Sequence, residues 1–466
     1  MPDELALVVD RPSPRTTWVL DHILRGAGFR AVPAARSDVG DRPHLAYGGP
    51  GPAGPRGAWI REAPDGPAWE ALLDGQLDPK SHGARIEHDL VHAIGELLTD
   101  AVNAGAGAEQ LDEHDRLRHE ASWAARRGRG GSPIADAYVE FIGRVLASTT
   151  GVTPRPRWPD GRRACIALSH DVDEPDRYAL LRQAVRPWRL RRAPRTLALE
   201  ALRLARRRLN DADHDAYWAF PELVELEASH GFKSTFFFAV TPVHARDGAL
   251  EDVHYDIGGA RYRQAMAMLR GAGFGIGLHA SYRAYEDPTR FVRERRRLEE
   301  LSGSEVLGLR HHYWHLGPDV AATLRAHEAA GFRYDTSIAF NDRVGFRRSG
   351  GLPYRPFDVT SERPLRTWQL PPFCMDGNLF YGSDDVEAAV RTVSDLVAAI
   401  AAVGGFGSID WHSQASIPRS VEFRSWGIGY GKILEMLASR GDLWVTSLEE
   451  ALGWVERQDR ELGAAA

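Results

Sequence analysis

Two apolar periods alternate along this chain. Leu5-Ala6-Leu7-Val8-Val9 and His44-Leu45-Ala46-Tyr47 are short apolar runs that predict strands, and Trp18–Leu24 carries helical spacing. Gly48–Pro55 reads as a loop from its glycines and prolines. Amphipathic segments at Asp89–Val102 and Ile134–Leu146 predict helices, and Pro154–Pro159 then reads as a linker. Beyond it the pattern becomes regular. Candidate strands fall at Ala164–Leu168, Ser234–Val240, Phe274–Leu278, Val306–Leu309, Thr367–Leu370, Phe406–Ile409 and Leu443–Thr446. Candidate helices fall between many of them, at Phe220–Ser229, Ala260–Gly271, Thr289–Leu301, Ala321–Ala330 and Val386–Val403. Such alternation predicts an α/β architecture, a parallel sheet or barrel with helices outside. Chemistry in such folds gathers at the C-terminal ends of the strands.

The linker divides the 466 residues into an N-terminal α/β accessory domain, 1–158, a larger unit, 159–456, and a tail, 457–466. Hydrophobic content of 43% and charged content of 26% are those of a soluble globular protein. A net charge of -6 argues against general nucleic-acid binding. Between Arg182 and Arg208 many arginines accompany a single acid, Glu200. That run reads as a solvated basic helix packed on the barrel, rather than as a site for an acidic glycan or a lipid head group. Cys165 and Cys374 read as small core residues. The acidic N-terminus lacks the pattern of a signal peptide and no stretch reaches membrane-span length, so the expected location is the cytoplasm.

The chemistry concentrates where strands end. Ser169-His170-Asp171-Val172-Asp173 directly follows the first apolar run of the larger unit. Ionisable groups there are costly to desolvate without a partner. Asp171 and Asp173, two apart, point the same way on an extended chain. His279 follows the run ending at Leu278, Arg310-His311-His312-Tyr313-Trp314-His315 follows Leu309, and Asp410-Trp411-His412-Ser413 follows Ile409. Any one of these histidines reads equally well as a core residue, but several at equivalent strand ends suit zinc or a similar divalent ion.

Taken in order, these motifs resemble the polysaccharide deacetylases (carbohydrate esterase family 4, the NodB-homology domain) over about residues 160–450. The carriers are Ser169–Asp173, Lys233-Ser234-Thr235-Phe236-Phe237-Phe238, Ile276–His279, Arg310-His311-His312-Tyr313 and His412. The resemblance is to a branch with His-Asp-Val-Asp and an N-terminal accessory domain. Asp112-Glu113-His114-Asp115-Arg116 and Gly345-Phe346-Arg347 look like its further signatures. The resemblance implies a distorted (β/α) barrel of about seven strands that hydrolyses an N-acetyl group on a sugar with a divalent metal. It implies Asp171 as general base, Asp173 and His279 as metal ligands, Arg310 as partner of Asp171, and His412 as general acid.

One position departs from the pattern. Arg283 stands where a second metal histidine is expected, four residues after His279. His312 is the favoured replacement ligand, His170 the alternative, and loss of the metal the third possibility. His311 and His315 read as structural or groove residues. Arg283, Tyr313, Trp314 and Trp411 are candidate groove residues, the aromatics offering flat faces to a sugar ring, though each alone reads more readily as core. Asp335, Asp342 and Asp376 either bind sugar hydroxyls or shape turns. The expected activity is a metal-dependent amide hydrolase, an N-deacetylase of an acylated sugar, a glycan or a natural-product intermediate. Hydrolysis of another C–N bond and non-catalytic glycan binding are the rival readings. Zinc is the first choice of metal, with Ni, Co, Mn or Fe as alternatives.

Overall fold

The computed structural model describes residues 4–63, 84–176, 215–243, 245–246, 248–380 and 382–462. The basic run Arg182–Arg208 lies outside the described residues. In the N-terminal region, β1 (Glu4–Val9), β2 (Arg30–Pro33), β3 (His44–Tyr47), β4 (Gly57–Ile60) and β5 (Arg85–Ile86) form a parallel sheet in the order β2-β1-β3-β4-β5. Helices α1 (Pro14–Gly26), α2 (Leu90–Leu98) and α3 (Ile134–Thr150) pack around it. Ser13 caps α1 by accepting from the Thr16 N–H, and Asp89 caps α2 in the same way through His92. Sequence periodicity misses β2, β4 and β5, which are only four, four and two residues long.

The second sheet is the barrel. Its strands are β6 (Ala164–Val172), β7 (Ser234–Phe238), β8 (Gly275–Ala280), β9 (Gly308–His311), β10 (Tyr334–Asp335), then, after the small antiparallel pair β11 (Phe357–Asp358) and β12 (Arg363–Pro364), β13 (Trp368–Gln369), β14 (Pro372–Met375), β15 (Phe406–Asp410) and β16 (Leu443–Ser447). The order β13-β10-β9-β8-β7-β6-β15-β14 is parallel throughout, with β16 alongside the start of β6. The two outermost strands, β13 and β14, are one extended stretch of chain. Leu370 N–H donates to Asp335 on one side, and Pro371 accepts from Ser408 N–H on the other. That seam curls the sheet into a distorted (β/α) barrel. Helices α4 (Phe220–Ser229), α5 (Ala260–Gly271), α6 (Pro288–Ser302), α7 (Val320–Ala329), the single turn α8 (Asp376–Leu379), α9 (Val386–Ala402), α10 (Arg424–Ala438) and α11 (Leu448–Leu462) complete the unit. The last helix runs through residues expected to form a tail, because its apolar residues Leu448, Ala451, Leu452 and Leu462 are buried.

Strand alternation sorts the side chains. Ile166, Leu168, Phe236, Phe238, Ile276 and Leu278 join one apolar cluster with the helices, whereas Cys165, Ala167, Phe237 and Tyr334 join the other. Room for Phe237 and Tyr334 comes from glycine: a Cβ on Gly277 would lie 2.4 Å from Phe237, and one on Gly308 would lie 2.0 Å from Tyr334. Large side chains therefore fill the lower lumen, and polar residues occupy its C-terminal end. The second cluster also contains Trp18, Tyr138, Leu352, Tyr354 and Trp368, so the N-terminal region and the barrel share one core.

Candidate metal and hydrolytic site

Four strand ends, those of β6, β8, β9 and β15, bring charge together at the mouth of the barrel. From β6, Asp171 is buried and receives a hydrogen bond of 2.8 Å from Arg310 Nη1 on β9. Burial alone would raise the Asp171 carboxyl, but the guanidinium of Arg310, helped by His279, holds it below the usual range. Arg310 is itself fully buried, donates to Ser169 Oγ at 2.8 Å, and lies over the Phe237 ring at 4.5 Å. Its Nη1 is also 2.6 Å from Asp410 Oδ1. Burial and the charge of Asp171 push the Asp410 carboxyl well above the usual range, against the pull of Arg310. One guanidinium thus faces two acids, of which Asp171 is the ionised one.

Asp173, just past β6, gathers three imidazoles. His279 Nε2 is 3.1 Å from its Oδ1, while His312 Nε2 and His412 Nε2 are each 3.3 Å from its Oδ2. Burial opposes the charge on Asp173, but His312 and His279 hold its carboxyl well below the usual range. Ligand atoms of Asp173, His279 and His312 all lie within 4.8 Å of one another. The fit to a cation is visible in the hydrogen bonds. His279 Nδ1 contacts the Arg310 carbonyl at 3.1 Å, an acceptor that fixes the proton on Nδ1 and leaves a lone pair on Nε2. Nε2 then faces the Asp173 carboxylate, acceptor against acceptor, and both atoms lack a hydrogen-bond partner among the described residues. Either a second proton or a cation resolves that arrangement. Without a cation, burial disfavours the imidazolium, yet Asp171 and Asp173 raise His279 to about 9.

His412, two residues past β15, faces the trio from the other wall. Its Nδ1 is 2.7 Å from Asp376 Oδ1, and its backbone N–H donates to Asp376 Oδ2 at 2.8 Å. Burial would drive the imidazolium to lose its proton, but Asp376 and Asp173 hold His412 well above the ordinary histidine range. Asp376 is fully buried at the end of β14. Sequence reasoning left it between a sugar contact and a turn; the structure makes it the partner of His412. Asp410 was visible only as a member of its strand-end motif, with no signal of its pairing.

Five of the expected site residues, Asp171, Asp173, His279, His312 and His412, therefore meet with Arg310 beneath them. His170 does not join them and is corrected as an alternative ligand. It points to the opposite face of β6, where Nδ1 is 2.8 Å from the Trp411 carbonyl and Nε2 is 2.6 Å from Glu227 Oε1. Tyr430 also donates to that glutamate at 2.6 Å. Trp411 is likewise corrected as a groove residue: it is fully buried on the outer face, 5.0 Å from the Tyr430 ring. Arg283 leaves the groove too. Its side chain is 58% exposed and lies 3.8 Å from Glu286, because the turn after β8 carries it outward. His311 is structural, bonded to His327 at 2.8 Å and to the His315 carbonyl. Asp335 accepts from Ser337, and Asp342 accepts from the His119 N–H.

Two adjoining cavities open here. One, of about 200 Å³, is lined by Asp171, Asp173, His279, Trp314, Met375 and Asn341. The other, of about 280 Å³, extends past Tyr313 and His412 to Gln414, Phe423 and Trp426. Trp314 is buried at the cavity wall and Tyr313 is 39% exposed at the rim. Gln414, Phe423 and Trp426 were not singled out from the sequence; Gln414 and Phe423 lie in the connection after β15 and Trp426 in the first turn of α10, a helix the sequence reading did not include. Gln414 Oε1 is buried without a hydrogen-bond partner among the described residues.

His312 enters from irregular backbone. It begins a single 3-10 turn, His312–Trp314, in which Tyr313 and Trp314 adopt φ of 59° and 51°. Left-handed backbone at two consecutive aromatic residues costs about 1–3 kcal/mol each and persists only where surroundings enforce it.

No family model matches this chain, and no curated protein matches it. Solved structures similar to it include a protein from Mycobacterium smegmatis assigned as a polysaccharide deacetylase, with 16% identity over 66% of this chain and 95% of that chain, at a TM-score of 0.44. A protein from Pseudomonas aeruginosa PAO1 with the same assignment shows 16% identity over 69% of this chain and 98% of that one, at a TM-score of 0.44. Puue allantoinase shows 15% identity over 68% of this chain and 97% of its own, at a TM-score of 0.44. The barrel assignment rests on the strand pairings described above.

Proposed function

We propose that this protein is a metal-dependent hydrolase of amide C–N bonds, acting as an N-deacetylase of an acylated sugar. One observation carries the reading: Asp173, His279 and His312 converge within 4.8 Å between Asp171, paired with Arg310, and His412, paired with Asp376. Asp173, His279 and His312 would hold the ion, and two imidazoles with one carboxylate suit zinc. When bound, such an ion polarises a carbonyl and acidifies water. Asp171, kept ionised by Arg310, accepts the proton of the attacking water. His412, kept protonated by Asp376, delivers the Nε2 proton to the departing amine, and Asp376 fixes the ring for that transfer. Each proton transfer is worth about 10²–10⁴-fold.

The sugar assignment is supported by the larger cavity. Tyr313, Phe423 and Trp426 give it flat apolar faces, and Gln414 and Glu174 give it polar ones. The test is acetate release by the zinc- or cobalt-loaded chain from a panel of N-acetylated monosaccharides, oligosaccharides and nucleotide sugars. Release that disappears in Asp171→Asn and His412→Ala supports the reading. A metal-loaded protein that releases acetate from none of the panel overturns the deacetylase assignment.

A further inference from the structure

The N-terminal region reaches the candidate site through one turn. Asp112 closes it: Oδ1 accepts the N–H groups of His114 at 2.9 Å and Arg116 at 3.1 Å, and Oδ2 accepts Arg116 Nε at 2.8 Å. Leu111 and Leu117 pair at its base, and Asp115 takes φ of 58° at its tip. The turn is thus held from within, independently of the barrel.

Three side chains leave it toward the His312–His315 segment, one of them Asp115, whose Oδ2 lies 3.6 Å from His315 Nε2. Arg116 Nη1 donates to the carbonyl of Tyr313, the residue directly after His312. His114 Nδ1 lies 2.7 Å from the Tyr282 hydroxyl, and its ring centroid is 4.8 Å from that of Tyr313. Tyr282 in turn offers its carbonyl to His315 Nδ1 at 3.2 Å, so both ends of the His312–His315 segment are gripped. Of the three candidate ligands, His279 sits on a strand and Asp173 directly follows one, whereas His312 begins the left-handed Tyr313-Trp314 turn. A planar guanidinium anchored on Asp112 by Nε is suited to hold a carbonyl in one place with Nη1.

We propose that the Asp112–Arg116 turn is a positioning element of the metal site, with Arg116 and His114 keeping the Tyr313-Trp314 backbone left-handed so that His312 Nε2 stays on the Asp173 side of the lumen. The inference rests on the reading of Asp173, His279 and His312 as ligands. Arg116 touches neither ion nor substrate; it acts through the backbone of the residue next to a ligand. The accessory region is thereby a component of the barrel's site.

The experiment is titration of the full chain with Co²⁺, read as dissociation constant and as the visible absorption of the bound ion. Arg116→Ala is expected to weaken Co²⁺ by about 10–100-fold, the range for groups that orient a ligand, and to shift the spectrum toward that of His312→Ala. Arg116→Lys, which keeps a donor for the Tyr313 carbonyl, is expected to recover part of the affinity. Arg118→Ala is the control, since Arg118 Nε bonds within the loop, to the Leu111 carbonyl, and is expected to match wild type. Should Arg116→Ala not fold, Tyr282→Phe removes the hydroxyl facing His114 and is expected to weaken Co²⁺ in the same direction. Wild-type affinity and spectrum in Arg116→Ala, or in Tyr282→Phe if that is the variant that folds, overturn the positioning role while leaving the ligand assignment intact. A wild-type chain that binds no Co²⁺ overturns the ligand assignment and the inference with it.

Discussion

The two faces of strand β6 carry similar residues and treat them in opposite ways. On the outer face His170 meets Glu227, Tyr430 and the Trp411 carbonyl, and both its ring nitrogens are engaged. On the lumen face, one and three residues further along, Asp171 and Asp173 meet Arg310, His279, His312 and His412. There His279 Nε2 and Asp173 Oδ1 face each other beside a cavity with no hydrogen-bond partner among the described residues. The same contrast recurs on β9, where His311 is tied to His327 and the neighbouring His312 faces Asp173. A closed network of buried polar groups specifies packing; an open one, with lone pairs aimed at a common point, is prepared for a ligand. Residue type does not separate the two cases. Glu227 Oε2 and His327 Nδ1 also lack a hydrogen-bond partner among the described residues. What sets the lumen face apart is that its donor atoms converge within 4.8 Å beside a cavity.

The comparison breaks most visibly at the lumen face. Asp171→Asn keeps the shape and removes the proton acceptor, so acetate release by the folded, metal-loaded variant should fall by about 10²–10⁴-fold. A loss below tenfold would mean that another group takes the proton. On the outer face the expectation reverses. His170→Ala leaves buried Glu227 with Tyr430 alone, and should cost about 3 kcal/mol of stability with metal stoichiometry at the wild-type value. Loss of metal in that variant, measured by elemental analysis of folded protein, would show that the two faces are not independent.

A third test sharpens the meaning of closure with pH. Burial holds His22 and His327 neutral, each near a pKa of about 3. A folded value below the unfolded one, about 6.5, means that the unfolded chain binds more protons between the two. Each such group therefore makes stability fall as pH drops below about 6.5, by about 1.4 kcal/mol per pH unit. His22 Nε2 has no partner among the described residues, so His22→Leu should be close to neutral at pH 7. Between pH 7 and pH 5 the variant should lose about 2 kcal/mol less than wild type. Parallel stability–pH curves from urea unfolding would contradict a neutral buried His22. The smallest effect is expected at Arg283. Its exposed pairing with Glu286 is worth under about 1 kcal/mol, and Arg283→Ala should change metal affinity and acetate release by less than about twofold. A large change there would restore Arg283 to the groove.

Periodicity located much of the secondary structure. His44–Tyr47, Phe220–Ser229 and Ala260–Gly271 have the same limits in sequence and structure, because apolar spacing and flanking glycines act within a few residues. Two-residue strands such as Tyr334–Asp335 are too short to show a period. The site was legible as far as it follows strand ends: Asp171, Asp173, His279, Arg310, His312 and His412 were singled out and are found together. Trp411 and His170 were misplaced although the alternation that turns them outward is written in the same strands. Both were weighed by residue type, when their parity relative to Asp171 and Asp410 was the deciding fact.

The sequence by itself determined the alternation of strands and helices in the larger unit, the placement of acids and imidazoles at strand ends, and the kind of ion such donors would suit. Only the tertiary structure decided the partners. Asp376 reaches His412 across 36 residues, Arg310 reaches Asp171 across 139, and Arg116 reaches Tyr313 across 197. Local patterning is a property of neighbouring residues and survives in one dimension. Which lone pair is closed and which is left open depends on groups that meet only when the barrel curls and the N-terminal region packs against it.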